Sequence, residues 1–139
     1  MDGGIEIKRK ALMRCTLFEG LGGDDIDHLV STSKILGLAP KTRLFSKGDP
    51  GDRLYIVTKG LVRISMASAD GREVTLNLIG TGQMFGEIAV LDGGERTADA
   101  TAVEETELVI LERRDLLTFL ESKPLSSIRM LARLMPLTH

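Results

Sequence analysis

The sequence predicts a mainly β domain of about eight short antiparallel strands, flanked by helices at its N- and C-terminal ends. Apolar and polar residues alternate over 61–66 and 74–78, which is the pattern of strands with one buried face. Turn residues such as Asp70–Gly71 separate such segments at short intervals, which is typical of a sandwich, barrel or jelly roll. Helical spacing of apolar residues is confined to the two ends of the chain.

The N-terminal segment predicts helices over about residues 5–32. We expect residues 1–4 to be disordered, because they hold two glycines and the chain terminus. Ile5 to Cys15 carries a weak helical pattern. Asp24 is the expected N-cap of a second helix over Asp25–Thr32, in which apolar residues recur at helical spacing.

Strand patterns fill about residues 34–112. The segment 47–52 is rich in Gly, Pro and Asp and is expected to be irregular. The run 108–111 shows no alternation, as expected for a strand that is covered on both faces. The predicted strands are 35–38, 43–46, 53–58, 61–66, 74–78, 97–102 and 108–111.

The C-terminal segment predicts two helices within about residues 113–135. Arg114 to Ser122 has apolar residues at helical spacing, and Pro124 suits the first turn of a last helix. Pro136 lacks a backbone donor and is expected to end that helix. Three apolar side chains share one face of the last helix: Ile128, Leu131 and Met135.

Composition argues against several classes of protein. The 18 basic and 20 acidic residues give a net charge of −2, which indicates no nucleic-acid surface. The four Phe and one Tyr are scattered along the sequence and predict no base-stacking platform. No apolar run approaches the roughly 20 residues that cross a bilayer, and no signal peptide is visible. The lone Cys15 is expected to be a packed thiol, and we expect a cytoplasmic protein with no membrane segment.

Histidine usage argues against an enzyme. His28 and His139 are the two histidines, and neither lies on a predicted strand, so the metal site of a cupin cannot be assembled. A serine hydrolase would need one of them beside a nucleophile, which nothing in the sequence suggests. We expect His28 to face solvent on its helix, and we expect no catalytic residue, metal or cofactor.

Residues 85–98, FGEIAVLDGGERTA, have the chemistry of an anion site. Gly86 permits close approach of the backbone to a ligand, and the short apolar turn after it would present free amides at a helix N-terminus. Arg96 can bind a phosphate with its planar fork, and Thr97 can add a hydroxyl donor. Glu87 would be repelled by phosphate unless it accepts a hydrogen bond from a sugar hydroxyl. The stretch therefore predicts a site for a sugar phosphate.

The same stretch resembles the phosphate-binding cassette of cyclic-nucleotide-binding domains, because GEIA is followed by ERTA at the spacing of that family. The resemblance covers about Leu17 to Leu134 and points most to the N-terminal sensor domain of catabolite-activator-type bacterial regulators. It implies a β-roll, a relative of the jelly roll, and cAMP or cGMP as the ligand. Regulatory domains of kinases and channels share the cassette, so those settings and a free-standing module stay open.

The resemblance also implies a role for each residue of the cassette. Glu87 would hold the ribose 2′-hydroxyl, Arg96 would bind the cyclic phosphate, and Thr97 would assist Arg96. The other implied positions supply backbone groups or an apolar wall: Gly86, Ile88, Ala89, Ile64, Leu76 and Phe85. Replacement of Arg96 by Ala is expected to weaken binding and to leave folding almost unchanged. The alternative is that Glu87 and Arg96 form a structural salt bridge in an interaction domain that binds no ligand.

The last helix is where the sequence departs from the family pattern. In family members this helix often extends and covers the base. In the bacterial regulators it also makes the dimer contact, and a DNA-binding helix-turn-helix domain follows it. Here Pro136 interrupts the helix, and the sequence given stops at His139. The expected partners are a cyclic mononucleotide, a second copy through the C-terminal helix, and DNA only through a domain absent from this chain. We expect modest discrimination between the two nucleotides, with cAMP as the physiological ligand.

Overall fold

The computed structural model of the chain describes residues 3–133. In that range eight strands form two four-stranded antiparallel sheets, which confirms the predicted β-roll architecture. The strands are β1 (Lys34–Leu38), β2 (Arg43–Phe45), β3 (Arg53–Lys59), β4 (Leu61–Ala67), β5 (Glu73–Gly80), β6 (Met84–Phe85), β7 (Asp99–Ala102) and β8 (Thr106–Glu112). The helices are α1 (Gly3–Arg14), a 3-10 turn (Thr16–Phe18), α2 (Gly23–Thr32), α3 (Glu87–Asp92), α4 (Arg113–Ser122) and α5 (Pro124–Ala132).

Almost every connection between consecutive strands crosses from one sheet to the other. The first sheet has the order β1-β8-β3-β6, and the second has the order β2-β7-β4-β5. Only the β4–β5 hairpin joins two consecutive strands of the same sheet within the described range. Its turn is the predicted Asp70–Gly71, where Gly71 has φ +84, a backbone conformation that glycine adopts without strain. The hairpin forms one wall of the roll, and a cavity lies between it and residues 85–98.

The core has two layers because β3 and β8 are covered on both faces. On β3, Leu54 and Ile56 pack against the helices, whereas Tyr55 and Val57 pack against the second sheet. The run Leu108–Leu111 on β8 divides in the same way, which confirms the prediction made from its missing alternation. Burial of each such side chain contributes about 1.5–3 kcal/mol to folding.

The last two helices differ in how far they are buried. In α4, Leu116 and Phe119 are fully buried against α2 and the first sheet. In α5, Pro124 occupies the first turn as predicted and Met130 is buried. Two residues of the predicted apolar face of α5 are exposed: Ile128 is 65% and Leu131 is 40% accessible to solvent. Leu125, on the first turn of the same helix, is 73% accessible.

Some sequence predictions at the ends of elements were wrong. Gly3 and Gly4 are helical and not disordered, because they form the first turn of α1. Asp24 is not the N-cap of α2, since the helix begins at Gly23 after Gly22, which makes no side-chain cap. Asp24 instead lies in the first turn, where a negative charge is favourable. Residues Met135 and Pro136, on which the expected end of the last helix depended, lie outside the described residues.

Candidate functional site

A cavity of about 300 Å³ lies between the β4–β5 hairpin and the cassette, residues 85–98. Both sheets contribute to it, β6 from the first sheet and β2, β4 and β5 from the second. Its volume is at the lower end of the range of small-ligand sites, about 300–1,000 Å³. It is lined by Phe45, Ile64, Asn77, Ile79, Met84, Phe85, Gly86, Glu87, Ile88, Ala89, Asp92, Glu95, Arg96, Thr97 and Ala98.

The structure brings eight of the nine candidate residues to this cavity and leaves one outside. The eight are Ile64, Phe85, Gly86, Glu87, Ile88, Ala89, Arg96 and Thr97. Leu76 does not line the cavity and is 54% exposed, so its assignment to the wall was wrong. The cause is a β-bulge, because Ile64 pairs with Asn77 and Ser65 pairs with Thr75. The intervening Leu76 has no partner in the ladder, and Asn77 takes the wall position opposite Ile64.

Gly86 sets the start of α3. It has φ +84, and a Cβ added there would lie 2.7 Å from a terminal nitrogen of Arg96 and 3.1 Å from the carbonyl oxygen of Arg53. The first hydrogen bond of the helix runs from the Val90 N–H to the Gly86 carbonyl, at 3.4 Å. The amides of the three residues between them therefore have no acceptor within the helix and border the cavity.

Two contacts from outside the cassette hold α3 in place. Gly51 donates its N–H to the carbonyl of Gly94 at 3.0 Å, and its missing side chain leaves room for Ala89, whose Cβ would be 2.2 Å from a Cβ at Gly51. Arg113, the first residue of α4, donates its Nε–H to the carbonyl of Val90 at 2.7 Å. The irregular loop 47–52 and the start of α4 thus position the short helix.

Arg96 is buried, with only 4% of its surface exposed. Its terminal nitrogens donate to the carbonyl of Gly86 at 3.1 Å and to the carbonyl of Arg53 at 2.6 Å. Its guanidinium carbon lies 4.3 Å from the centre of the Phe45 ring. Its Nε is buried and has no hydrogen-bond partner among the residues described. A buried donor without an acceptor is costly, so this nitrogen points to a missing acceptor.

Glu87 is the complementary unpartnered group. Its Oε2 is buried and accepts no hydrogen bond within residues 3–133. Glu87 and Arg96 form no ion pair with each other in that range, so the structural salt bridge considered as the alternative is absent there. A buried carboxylate oxygen without a donor is as costly as a buried unpaired cation. Both groups lie at the same cavity, and each lacks the partner that a polar ligand would supply.

Three aromatic rings converge beneath Arg96, although they are far apart in the sequence. Tyr55 and Phe85 are stacked at 5.0 Å, and Phe45 lies 5.9 Å from Tyr55 and 6.2 Å from Phe85. The three rings form a cluster that their scattered positions in the sequence did not predict. Burial raises the pKa of the Tyr55 hydroxyl, although the nearby Arg96 charge acts in the opposite direction.

Other residues considered from the sequence lie away from the cavity centre. Cys15 is buried as expected, burial raises the pKa of its thiol, and its Sγ lies 3.6 Å from Sδ of Met84. His28 is half-buried beside Phe119, with ring centres 5.7 Å apart, and so is not fully solvent-facing. Residues 3–133 contain no group of three His, Cys, Asp or Glu that could hold a metal. No helix in that range is long and apolar enough to cross a membrane.

The fold and the cavity define a ligand-binding domain. An apolar cavity with a few converging polar groups is the usual form of a small-molecule site. Here two buried side-chain atoms that lack a hydrogen-bond partner among residues 3–133, Glu87 Oε2 and Arg96 Nε, come from one short segment. Asn77 of β5 adds a polar side chain to the opposite wall.

Comparisons with known proteins identify the family. The sequence model described as the cyclic nucleotide-binding domain matches residues 36–123, and the chain belongs to this family. It is 41% identical over 109 residues to the cyclic AMP receptor protein of Thermus thermophilus, which covers 78% of the chain and 50% of that protein. The chain thus spans about half the length of the curated relatives it matches first.

Two solved structures show the same fold. The N-terminal domain of a transcriptional regulator from Streptomyces coelicolor matches with a TM-score of 0.81 and 38% identity, and the match covers 88% of each chain. The regulatory domain of Toxoplasma gondii PKA with cAMP matches with a TM-score of 0.79 and 29% identity over 86% of this chain and 45% of that one. The predicted resemblance to regulator sensor domains is therefore confirmed.

Proposed function

We propose that the cavity binds a cyclic mononucleotide, with cAMP as the physiological ligand. The observation that carries this proposal is a pair of buried atoms at one cavity, Glu87 Oε2 and Arg96 Nε, that have no hydrogen-bond partner within residues 3–133. An ionised carboxylate only accepts hydrogen bonds and a guanidinium only donates them. The ligand must therefore offer a hydrogen-bond donor to Glu87 and an acceptor, favourably an anionic one, to Arg96. A ribose 2′-hydroxyl beside a cyclic phosphate meets both requirements.

The proposed roles follow from the positions of the groups. The phosphate lies against Arg96 and the free amides at the start of α3, next to the exposed hydroxyl of Thr97. Glu87 accepts from the ribose 2′-hydroxyl. Gly86 lets the backbone approach the sugar, with the amides of Ile88 and Ala89 as donors. The apolar side of the cavity is left for the base, and its wall consists of Ile64, Ile79 and Phe85.

The proposed setting is a transcription regulator of the cytoplasm, in which this chain senses the ligand and catalyses no reaction. Its support is the similarity to a cyclic AMP receptor protein and to the N-terminal domain of a transcriptional regulator, at 41% and 38% identity. The similarity to a PKA regulatory domain, at 29% identity, favours a kinase-type module as the second candidate. Contact with DNA is proposed only for a part of such a regulator outside these 139 residues.

Calorimetric titration of cAMP and cGMP into the protein and into Arg96→Lys tests the binding site. Lysine keeps the charge but loses the planar fork. Hydrogen bonds to charged groups are worth about 1.5–3 kcal/mol, so we expect affinity to fall about ten- to a hundredfold. The matched control is Arg114→Lys on α4, a side chain that is 80% exposed. Absence of binding by the unchanged protein, or equal affinity for both variants, would contradict the proposal.

The structure also revises the choice of substitution at Arg96. The sequence alone suggested that Arg96→Ala would leave folding almost unchanged. Arg96 donates to two backbone carbonyls, those of Gly86 and Arg53, and alanine would leave both without this donor. We therefore expect Arg96→Ala to reduce stability as well as affinity, by about 1–3 kcal/mol for each acceptor that stays buried and unsatisfied.

We further propose that a second copy of the chain packs on the exposed apolar face of α5. Leu125, Ile128 and Leu131 recur at helical spacing and are each at least 40% exposed. Such a stripe is the usual contact of an isologous helix pair. Sedimentation equilibrium of the protein and of Ile128→Glu, with Glu121→Gln on α4 as the exposed control, measures the association. A monomer at all concentrations would overturn this assignment.

A further inference from the structure

The charge of Arg96 is buried and has no counter-ion among residues 3–133. No carboxylate of residues 3–133 lies within ion-pair distance of its guanidinium. The residue as a whole is 4% exposed. Two of the five N–H donors of the group are used by the carbonyls of Gly86 and Arg53. A buried cation is costly unless its surroundings compensate for the lost water. The remaining compensation must come from the groups that pack against the guanidinium.

Phe45 packs against the guanidinium. The guanidinium carbon is 4.3 Å from the centre of the Phe45 ring and 5.5 Å from the centre of the Tyr55 ring, so Phe45 makes the closer contact. The face of an aromatic ring carries partial negative charge and attracts a cation within about 6 Å. Phe45 also lines the ligand cavity. It is therefore placed both on the cation and beside the proposed phosphate position.

The local backbone explains why Phe45 reaches this place. On β2, Arg43 pairs with Thr101 and Phe45 pairs with Ala100, so Leu44 is the extra residue of an irregular register. Both Leu44 and Phe45 consequently pack against the core between the sheets. β7 begins at Asp99, which follows Arg96, Thr97 and Ala98 in the chain. The pairing of β2 with β7 thus brings the ring to the cation.

We propose that Phe45 is a positioning residue for the phosphate-binding arginine. Its ring, together with the carbonyls of Gly86 and Arg53, fixes the plane of the Arg96 guanidinium before any ligand arrives. The Nε–H, which has no acceptor among residues 3–133, is then left for the ligand. Pre-organisation of this kind raises affinity because the side chain has little freedom left to lose on binding. The expected effect on affinity rests on the proposed function. The packing of the Phe45 ring on the Arg96 guanidinium does not depend on that function.

The geometry is tested without any ligand. An N–H over an aromatic ring is shielded, so the Arg96 Nε–H proton resonance should lie upfield of the other arginine resonances in a ¹⁵N-correlated spectrum. Arg96→Lys identifies the signal by removing it. Phe45→Leu should return it to the ordinary position, and Phe45→Tyr, which keeps the ring, should leave it shifted. An unchanged Arg96 resonance in Phe45→Leu would overturn the proposal. Thermal unfolding of both Phe45 variants checks that each is folded, and Phe45→Met replaces Phe45→Leu if that variant is not.

The affinity is tested by titration of cAMP into the same variants. A desolvated cation–π contact is worth up to about twentyfold or thirtyfold in an equilibrium constant, so Phe45→Leu should bind about three- to thirtyfold more weakly. Phe45→Tyr should bind within about threefold of the unchanged protein. In an Arg96→Lys background the effect of Phe45→Leu should shrink markedly, because the planar group that the ring positions is gone. An equal loss in both backgrounds would show that Phe45 acts through packing on the ligand, and the positioning role would be wrong.

The two proposals fail in different ways. If the unchanged protein binds no cyclic nucleotide while its Arg96 resonance responds to Phe45→Leu, the proposed function is wrong and the ring on the cation is supported. If the protein binds cAMP and Phe45→Leu binds it equally well, the function stands and the positioning role is rejected.

Discussion

Gly51 offers the sharpest test of how the cassette is held, because its role is steric and lies outside the cavity. A Cβ at this position would be 2.2 Å from the Cβ of Ala89 and 2.9 Å from the carbonyl oxygen of Gly94. Ordinary carbon–carbon contacts are about 3.5–4.0 Å. In Gly51→Ala, α3 must therefore move away from loop 47–52 by roughly 1.5 Å, or the loop must move by the same amount.

The size of the effect follows from that displacement. Overpacking of this kind costs about 1–3 kcal/mol, which for a domain of this size corresponds to a fall in Tm of about 3–12 °C. The amides at the start of α3 move with the helix, so we expect cAMP affinity to fall at least about tenfold. Differential scanning calorimetry and isothermal titration measure the two quantities on the same sample.

A compensating substitution provides the control. Ala89→Gly removes the methyl group that meets the new Cβ and keeps the backbone amide, so Gly51→Ala with Ala89→Gly should recover part of the affinity. Recovery should be incomplete, because the contact with the carbonyl of Gly94 remains and glycine costs about 1 kcal/mol in a helix. Wild-type stability and affinity in Gly51→Ala alone would show that loop 47–52 does not position α3, and the reasoning would be refuted.

Three further outcomes are expected. In titrations, Glu87→Gln should weaken binding of cAMP and should weaken binding of the 2′-deoxy analogue much less, because the analogue lacks the hydroxyl from which Glu87 accepts a hydrogen bond. Equal losses for the two ligands would mean that Glu87 has another role. In competition titrations the unchanged protein should discriminate between cAMP and cGMP by about tenfold. Thr97→Ala should lose more affinity for cGMP than for cAMP. A thousandfold preference in the unchanged protein would contradict this prediction. Because burial raises the pKa of Cys15, the unfolded thiol ionises first as the pH rises. The free energy of unfolding should therefore decline above roughly pH 8.5 and decline less in Cys15→Ala, in urea titrations at several pH values; identical slopes would exclude this contribution.

The cassette could be predicted from the sequence because its chemistry is local. Gly86, Glu87, Arg96 and Thr97 lie within one short segment, and all four reach the cavity in the structure. The turn at Asp70–Gly71 was predictable for the same reason, since its conformation depends on the residues of the turn itself. What a few neighbouring residues determine can be inferred from those residues alone.

The cavity wall could not be predicted to the same degree because strand register decides it. The alternation on β5 placed Leu76 with Val74 and Leu78, but one extra residue in the ladder gives the wall position to Asn77. A shift of one residue moves a side chain to the other face of a sheet. Phe45 was missed for a related reason, since its place over Arg96 depends on the irregular pairing of β2 with a strand more than fifty positions later.

The order of the strands has a consequence for synthesis of the chain. In the first sheet β8 lies between β1 and β3, and Lys34 pairs with Ile110, more than seventy positions later in the sequence. During translation the N-terminal helices can form early, but the first sheet lacks β8, one of its two inner strands, until Glu112 has left the ribosome. Contacts this distant in sequence also make folding slow. All residues of the cassette have been synthesised once Ala98 has been added, but the fold that encloses the cavity is not complete at that point. A cyclic nucleotide can therefore begin to stabilise the folded domain only after β8 has been added.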